Sequence, residues 1–190
     1  MAIQGGWAFC EKCYGLFYNG YEYKGKCPAG GDHKQPQTGM GYNYQLNHSI
    51  PGNQYSQPQW EFCVKCHGMF FNGYSGGHCP KGGKHERNEQ AYHFVLKHDY
   101  PQLYSNEQPY WEFCTGCHGL FYNGFTGKGR CPGTPYAIRP GGDRVHMGSH
   151  GRQPNGYHFV LYVGDYISPP AYKLMTKCAW PPNPSKCPGY

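Results

Sequence analysis

One motif, Trp-x-Phe-Cys-x2-Cys-x-Gly-x-Phe, occurs three times in this chain, and few features constrain a fold more tightly than such repetition. The first copy carries Trp7, Phe9, Cys10, Cys13, Gly15, Leu16 and Phe17. The second carries Trp60, Phe62, Cys63, Cys66, Gly68, Met69 and Phe70, and the third Trp111, Phe113, Cys114, Cys117, Gly119, Leu120 and Phe121. Each run ends in Asn-Gly, at Asn19-Gly20, Asn72-Gly73 and Asn123-Gly124. Whatever one copy folds into, the other two must fold into as well, and the spacing of about 50 residues is that of one supersecondary unit.

The likeness extends beyond the opening run. Each copy continues to a Cys-Pro, at Cys27-Pro28, Cys79-Pro80 and Cys131-Pro132, then to a Gly-Gly and a histidine. Each closes on an alternating run: Tyr42-Asn43-Tyr44-Gln45-Leu46, Tyr92-His93-Phe94-Val95-Leu96 and Tyr157-His158-Phe159-Val160-Leu161. Strict alternation is the signature of a half-buried strand, with Tyr, the second aromatic and Leu on one face and Asn43, His93 and His158 on the other. Trp-x-Phe alternates in the same way. Asn-Gly between aromatic runs predicts a two-residue hairpin turn, because both central positions of that turn favour positive φ. The predicted unit is strand, cysteine turn, hairpin, Gly/Pro-rich loop and strand, with no helical period anywhere. The whole chain, 1–190, reads as one domain: repeat one 7–59, repeat two 60–110, repeat three 111–161 and a proline-rich C-terminal tail 162–190.

Branched aliphatic residues are scarce: 7 Leu, 4 Ile and 5 Val among 190 residues. A chain so poor in them lies near the composition of disordered proteins. Against disorder stand an aromatic content of 17%, with 19 Tyr, and the 11 Cys and 11 His. Aromatic rings supply large buriable surfaces, and cross-links commonly support a core too thin to hold alone.

Cysteine parity selects the kind of cross-link. Three cysteines per repeat leave one thiol over in any set of disulfides within repeats, whereas a Cys3His tetrahedron uses all three and accounts for the histidine. The expected ligand sets are Cys10, Cys13, Cys27 and His33; Cys63, Cys66, Cys79 and His85; and Cys114, Cys117, Cys131 and His150. In the third copy a longer loop offers His146 as an alternative. His150 is preferred because Gly148–Arg152 aligns without gaps to Gly83–Arg87. Three structural zinc ions follow as the expected cofactors. Disulfides between repeats are the competing arrangement. Cys178 and Cys187 in the tail are either a disulfide pair or free thiols. Four protein ligands fill a zinc shell and the repeats share no carboxylate pair, so no catalytic metal and no enzyme activity are expected.

Cys63-Val64-Lys65-Cys66-His67 and Cys114-Thr115-Gly116-Cys117-His118 also match the c-type haem attachment pattern. Copy one breaks it with Tyr14, and the third cysteine of each copy has no place in it. The formal charge of +6 counts thiols as neutral. Nine thiolates carry more charge than three divalent cations return, so metal loading halves the basic excess. With charged residues only 15% of the chain, little polyanion-attracting field is left.

Three β-rich repeats of this length resemble a β-trefoil in repeat number, length and closing-strand pattern over residues 7–161, although no Gln-x-Trp motif is present. The repeat motif itself resembles tandem repeats of bacterial and fungal proteins, a likeness that carries no activity with it. The fold expected is therefore all-β, a three-repeat pseudo-threefold β-trefoil-like domain with one zinc site per repeat. The trefoil resemblance implies a lectin, whose partners are glycans or glycoproteins and whose repeats offer multivalent sites. Trp7, Trp60 and Trp111 read as core and Asn19, Asn72 and Asn123 as turn residues; the outward Asn43, His93 and His158 are the candidate ligand contacts. A nucleic-acid-binding zinc protein is the alternative from another class, weakened by scattered basic residues. A zinc-braced structural or toxin-like interaction protein is a third. No stretch is long and apolar enough for a membrane span. The start lacks a basic and apolar leader, which points to the cytoplasm with a secreted form left open.

Overall fold

In a computed structural model the described residues are 2–164, so Cys178, Cys187 and the rest of the tail, with what the sequence leads one to expect of them, lie outside them. All regular structure among them is β. In chain order the strands are β1 (Ala2–Phe9), β2 (Leu16–Tyr18), β3 (Tyr44–His48), β4 (Ser56–Phe62), β5 (Met69–Phe71), β6 (Phe94–His98), β7 (Glu107–Phe113), β8 (Leu120–Tyr122), β9 (Tyr136–Ile138), β10 (Arg144–His146) and β11 (His158–Val163). Each repeat builds one three-stranded antiparallel sheet: β2-β1-β3, β5-β4-β6 and β8-β7-β11. A trefoil repeat has four strands. The β9–β10 hairpin belongs to the longer loop of repeat three alone.

The three sheets join cyclically. The end of β3 pairs with the start of β6, through Asn47↔Val95. The end of β6 pairs with the start of β11, through Phe159↔His98, and the end of β11 returns to the start of β3, through Val163↔Tyr44. Around the short strands the same order holds: Phe17 bridges Gly68, Phe70 bridges Gly119 and Phe121 bridges Gly15. Three equivalent steps that return to their starting point define a pseudo-threefold axis. They also pair strand ends that separate units would leave open.

One core, contributed by all three repeats, lies about this axis. Its central contacts are edge-to-face aromatic pairs between repeats: Trp7 on Phe94 at 5.1 Å, Trp60 on Phe159 at 5.0 Å and Trp111 on Tyr44 at 5.2 Å between ring centroids. Such pairs contribute about 0.5–1.5 kcal/mol each beyond the area they bury. Aromatic rings thus supply here what aliphatic side chains supply elsewhere. Each Trp indole also donates its N–H to the Gln three residues before it, Gln4, Gln57 or Gln108, at 3.0–3.2 Å.

Two sequence expectations need correction. Neither Asn nor Gly of the three Asn-Gly pairs has positive φ. The hairpin between the first two strands of each repeat turns instead at the cysteine pair, where Tyr14, His67 and His118 take φ of 60–65°. The Asn-Gly pairs lead out of β2, β5 and β8 into the long loops. The first tyrosine of each closing run also does not join the buried face: Tyr42, Tyr92 and Tyr157 are 41%, 48% and 46% exposed. Burial begins with Tyr44, Phe94 and Phe159, where the strand reaches its neighbours in the other repeats.

Because Trp60 is fully buried between two repeats, Trp60→Ala is expected to destabilise the whole domain by about 3–5 kcal/mol. Urea unfolding followed by both far-UV circular dichroism and tryptophan fluorescence checks this. The two signals should shift together to lower denaturant, since the repeats share one core.

Candidate metal centres

The sequence of each repeat brings four donors to one point by simple means. The two-residue spacing between the first cysteines spans a hairpin turn, closed by Tyr14 N–H donating to the Cys10 carbonyl at 2.8 Å and Cys10 N–H to the Gly15 carbonyl at 3.0 Å. The second and third repeats repeat both bonds at the same distances, with His67 and Gly68, and with His118 and Gly119. The Cys-Pro-x-Gly-Gly stretch then doubles back, with Cys27 N–H donating to Gly31 and Cys79 N–H to Gly83, both at 2.8 Å. That reversal returns the histidine to the cysteine pair.

Three clusters result: Cys10, Cys13, Cys27 and His33; Cys63, Cys66, Cys79 and His85; Cys114, Cys117, Cys131 and His150. In each, all four ligand atoms lie within 4.8 Å of one another. The sulfurs of Cys10 and Cys27, Cys63 and Cys79, and Cys114 and Cys131 stand 3.9, 4.0 and 3.6 Å apart, and the histidine Nδ1 lies 3.5, 3.4 and 3.5 Å from the sulfur of Cys13, Cys66 and Cys117. A tetrahedron with Zn–S near 2.3 Å and Zn–N near 2.0–2.1 Å requires roughly 3.8 Å between sulfurs and roughly 3.6 Å between sulfur and nitrogen. These six distances meet that requirement. A disulfide, at about 2.05 Å, is far from them, and the nine cysteines among the described residues are all free thiols.

Electrostatics point the same way. Burial, reinforced by the two neighbouring sulfurs, pushes the thiols of Cys13, Cys66 and Cys117 well above their ordinary range. Cys79 is pushed up to about 11, chiefly by its hydrogen bond with Cys63, and Cys131 to about 12 by Cys114. Three sulfurs in one dry pocket cannot all become thiolates unless a cation joins them. The surroundings also fix each ligand ring. His33, His85 and His150 lie stacked on Phe17, Phe70 and Phe121 at 4.7–4.9 Å. His150 Nε2 stands 3.0 Å from the Cys13 carbonyl of repeat one, which leaves Nδ1 as its ligand atom. The three centres can each hold a metal ion, and zinc suits the donor set.

His146 stands outside the third cluster. Its Nδ1 faces the Thr134 carbonyl at 2.8 Å, while its backbone N–H reaches the Pro28 carbonyl of repeat one. The β9–β10 hairpin thereby leans on the first metal loop, where Asp143 also pairs with Lys26 and accepts from Gly31 N–H. The two histidines of the haem-like pattern have packing roles. His67 lies against Tyr21, Tyr23 and Phe62, and His118 against Tyr74 and Phe113. Tyr14 takes the same place in copy one, against Phe9 and Phe125.

Each centre is also part of a joint between repeats. Tyr18, Phe71 and Tyr122 donate their N–H groups to the carbonyls of His67, His118 and Tyr14 in the next repeat around the axis, at 2.8–2.9 Å. Gly25, Gly77 and Gly129 press on the carbonyls of Cys66, Cys117 and Cys13, so closely that a Cβ would sit 2.0–2.1 Å from the oxygen. On the axis the three centres surround an apolar cavity of about 40 Å³, lined by Cys13, Cys66, Cys117, His33, His85 and His150 among others. It has room for little more than water.

The outward residues fare differently. His93 and His158 each hold Nδ1 2.7 Å from a buried carboxylate, Glu61 and Glu112. Burial raises the Glu112 carboxyl against the lowering pull of His158. Arg87 approaches Glu61 at 3.9 Å. Copy one has no such group: Ala8 stands for the glutamate, Asn43 for the histidine and Gln35 for the arginine. Asn43 Oδ1 accepts instead from Gly6 N–H at 2.7 Å. The two glutamates escape a reading of single copies, but the paired change Glu/His to Ala/Asn is visible when the copies are compared. Set against known proteins, the chain matches no family model, no curated protein and no solved structure.

Native mass spectrometry of the full chain should show three zinc masses, falling to two in Cys79→Ser. Chelation should unfold the domain, since apparent structural zinc affinities of roughly 10–16 kcal/mol exceed the stability of most domains. Gly77→Ala should destabilise by at least about 2 kcal/mol, because the displaced group is backbone. Thermal melts before and after chelation check both.

Proposed function

We propose that this chain is a carbohydrate-binding protein in which three zinc ions brace a rigid, trefoil-like frame and the periphery of the repeats meets glycans. The observation that carries the reading is the placement of Tyr42, Tyr92 and Tyr157. These rings are about half exposed, recur at one position in each repeat, and each directly precedes one of Asn43, His93 and His158. An exposed tyrosine offers a sugar an apolar plane for its C–H face, and where Tyr92 lines a cleft with Asn43 an amide stands ready for its hydroxyls. Tyr92 and Tyr157 are held flat against His48 and His98 at 3.7 Å, so binding would cost little side-chain entropy. The metal centres serve as braces: eleven of the twelve donors are buried, His85 being half-buried, and the axial cavity admits no substrate.

A glycan array probed with the zinc-loaded protein tests the reading, with single-stranded RNA and DNA as controls. Selective binding to a glycan family, competed by its free sugar, is the expected result. A blank array, or salt-sensitive binding to the nucleic acids alone, would overturn it.

A further inference from the structure

The three repeats are alike in place and unlike in chemistry, and the difference is concentrated at one spot. Before the Trp of each repeat the first strand carries a β-bulge. Its central residue has positive φ in every copy: Gly6 at 84°, Gln59 at 69° and Tyr110 at 71°. Its carbonyl accepts the N–H of Asn19, Asn72 or Asn123. The backbone is therefore the same, and only the side chain varies. In repeat two Gln59 lies over the Asn72-Gly73 turn, with Oε1 2.6 Å from where a Gly73 Cβ would stand. In repeat three the Tyr110 ring packs 6.4 Å from Tyr122. In repeat one Gly5 and Gly6 place nothing there. The ring of Tyr18, equivalent to Tyr122, instead walls an open cleft of about 370 Å³ together with Gln4, Gly5, Gly6, Asn43 and Tyr92.

That volume falls within the range of small-molecule sites, roughly 300–1,000 Å³, and its walls combine tyrosine rings with the side-chain amides of Gln4 and Asn43. Among the described residues, none that lines it is charged. The charged groups that stand beside this position in the other repeats, Glu61 with His93 and Glu112 with His158, are replaced here by Ala8 and Asn43. With Oδ1 held by Gly6 N–H, Asn43 has its amide nitrogen to donate. Two tyrosine rings and a neutral amide suit an uncharged ligand rich in hydroxyls.

The geometry points to the Gly5–Gly6 cleft of repeat one as the binding site for a neutral sugar residue, one per chain, with Tyr18 and Tyr92 as its apolar walls and Asn43 as its donor. This inference rests on the carbohydrate-binding reading and narrows it to one repeat and to uncharged glycans. Gly6→Gln copies the residue that repeat two carries on the same backbone, so it should fold and keep three zinc ions. Wild type, Gly6→Gln and Asn43→Ala are to be compared on an array of neutral, sialylated and sulfated glycans, with zinc content and melting temperature measured alongside. Titration calorimetry with the free sugar of the best neutral hit then gives stoichiometry. The expected result is neutral-glycan binding at one site per chain, weakened at least tenfold in both variants at unchanged zinc content. Binding that persists undiminished in Gly6→Gln, a stoichiometry of three, or preference for acidic glycans would overturn the cleft assignment and leave the broader reading standing. A blank array with wild type would overturn both.

Discussion

The turn between the first two strands of each repeat serves three structures at once. It is the hairpin turn, with one residue forced to φ near 60°. It presents two of the four residues of each set that could hold a metal ion. And its carbonyls face the adjoining repeat, which meets them with a backbone N–H and a glycine that has no Cβ to hold it away. Any disturbance of the donor set therefore reaches the hairpin and the joint between repeats together. A chain with so few branched aliphatics has a thin core, and thin cores are commonly supported by cross-links of the kind these donors could form.

Most of this frame is legible in the amino-acid sequence, for a physical reason. A tetrahedral ligand set and a strand pairing both impose fixed spacings, and three copies allow the fixed positions to be separated from the free ones. The twelve donors, the closing strands and the buried Trp7, Trp60 and Trp111 come from that comparison. Where the reading goes astray, a long-range contact outweighs a local preference. Asn-Gly favours a tight turn in isolation. Here Asn19 N–H is claimed by the Gly6 carbonyl across the sheet, and the chain turns at the cysteines instead. Likewise Tyr42, Tyr92 and Tyr157 have the right period for the buried face, but they fall before the strand has entered the core. Alternation reports a face and not where the core ends.

The partners of Asn43, His93 and His158 were beyond any reading of single copies. Whether an outward histidine is a solvated position or half of an ion pair depends on what lies across the strand, and Glu61 is 32 positions away from His93. The pair is written in the sequence only as a correlated difference: the second and third copies hold Glu and His, and the first holds Ala8 and Asn43.

That correlation bears on how such a repeat protein can diverge. The core and the donors are locked by cyclic contacts, since Trp7 needs Phe94, Trp60 needs Phe159 and Trp111 needs Tyr44. A change at one of these positions is felt across a repeat boundary. The bulge residue and the outward dyad carry no such constraint. Gly6, Gln59 and Tyr110 give the same backbone with three side chains of very different size. Variation is therefore admitted where the backbone is already fixed by neighbours, and it is there that one threefold frame can present three different surfaces.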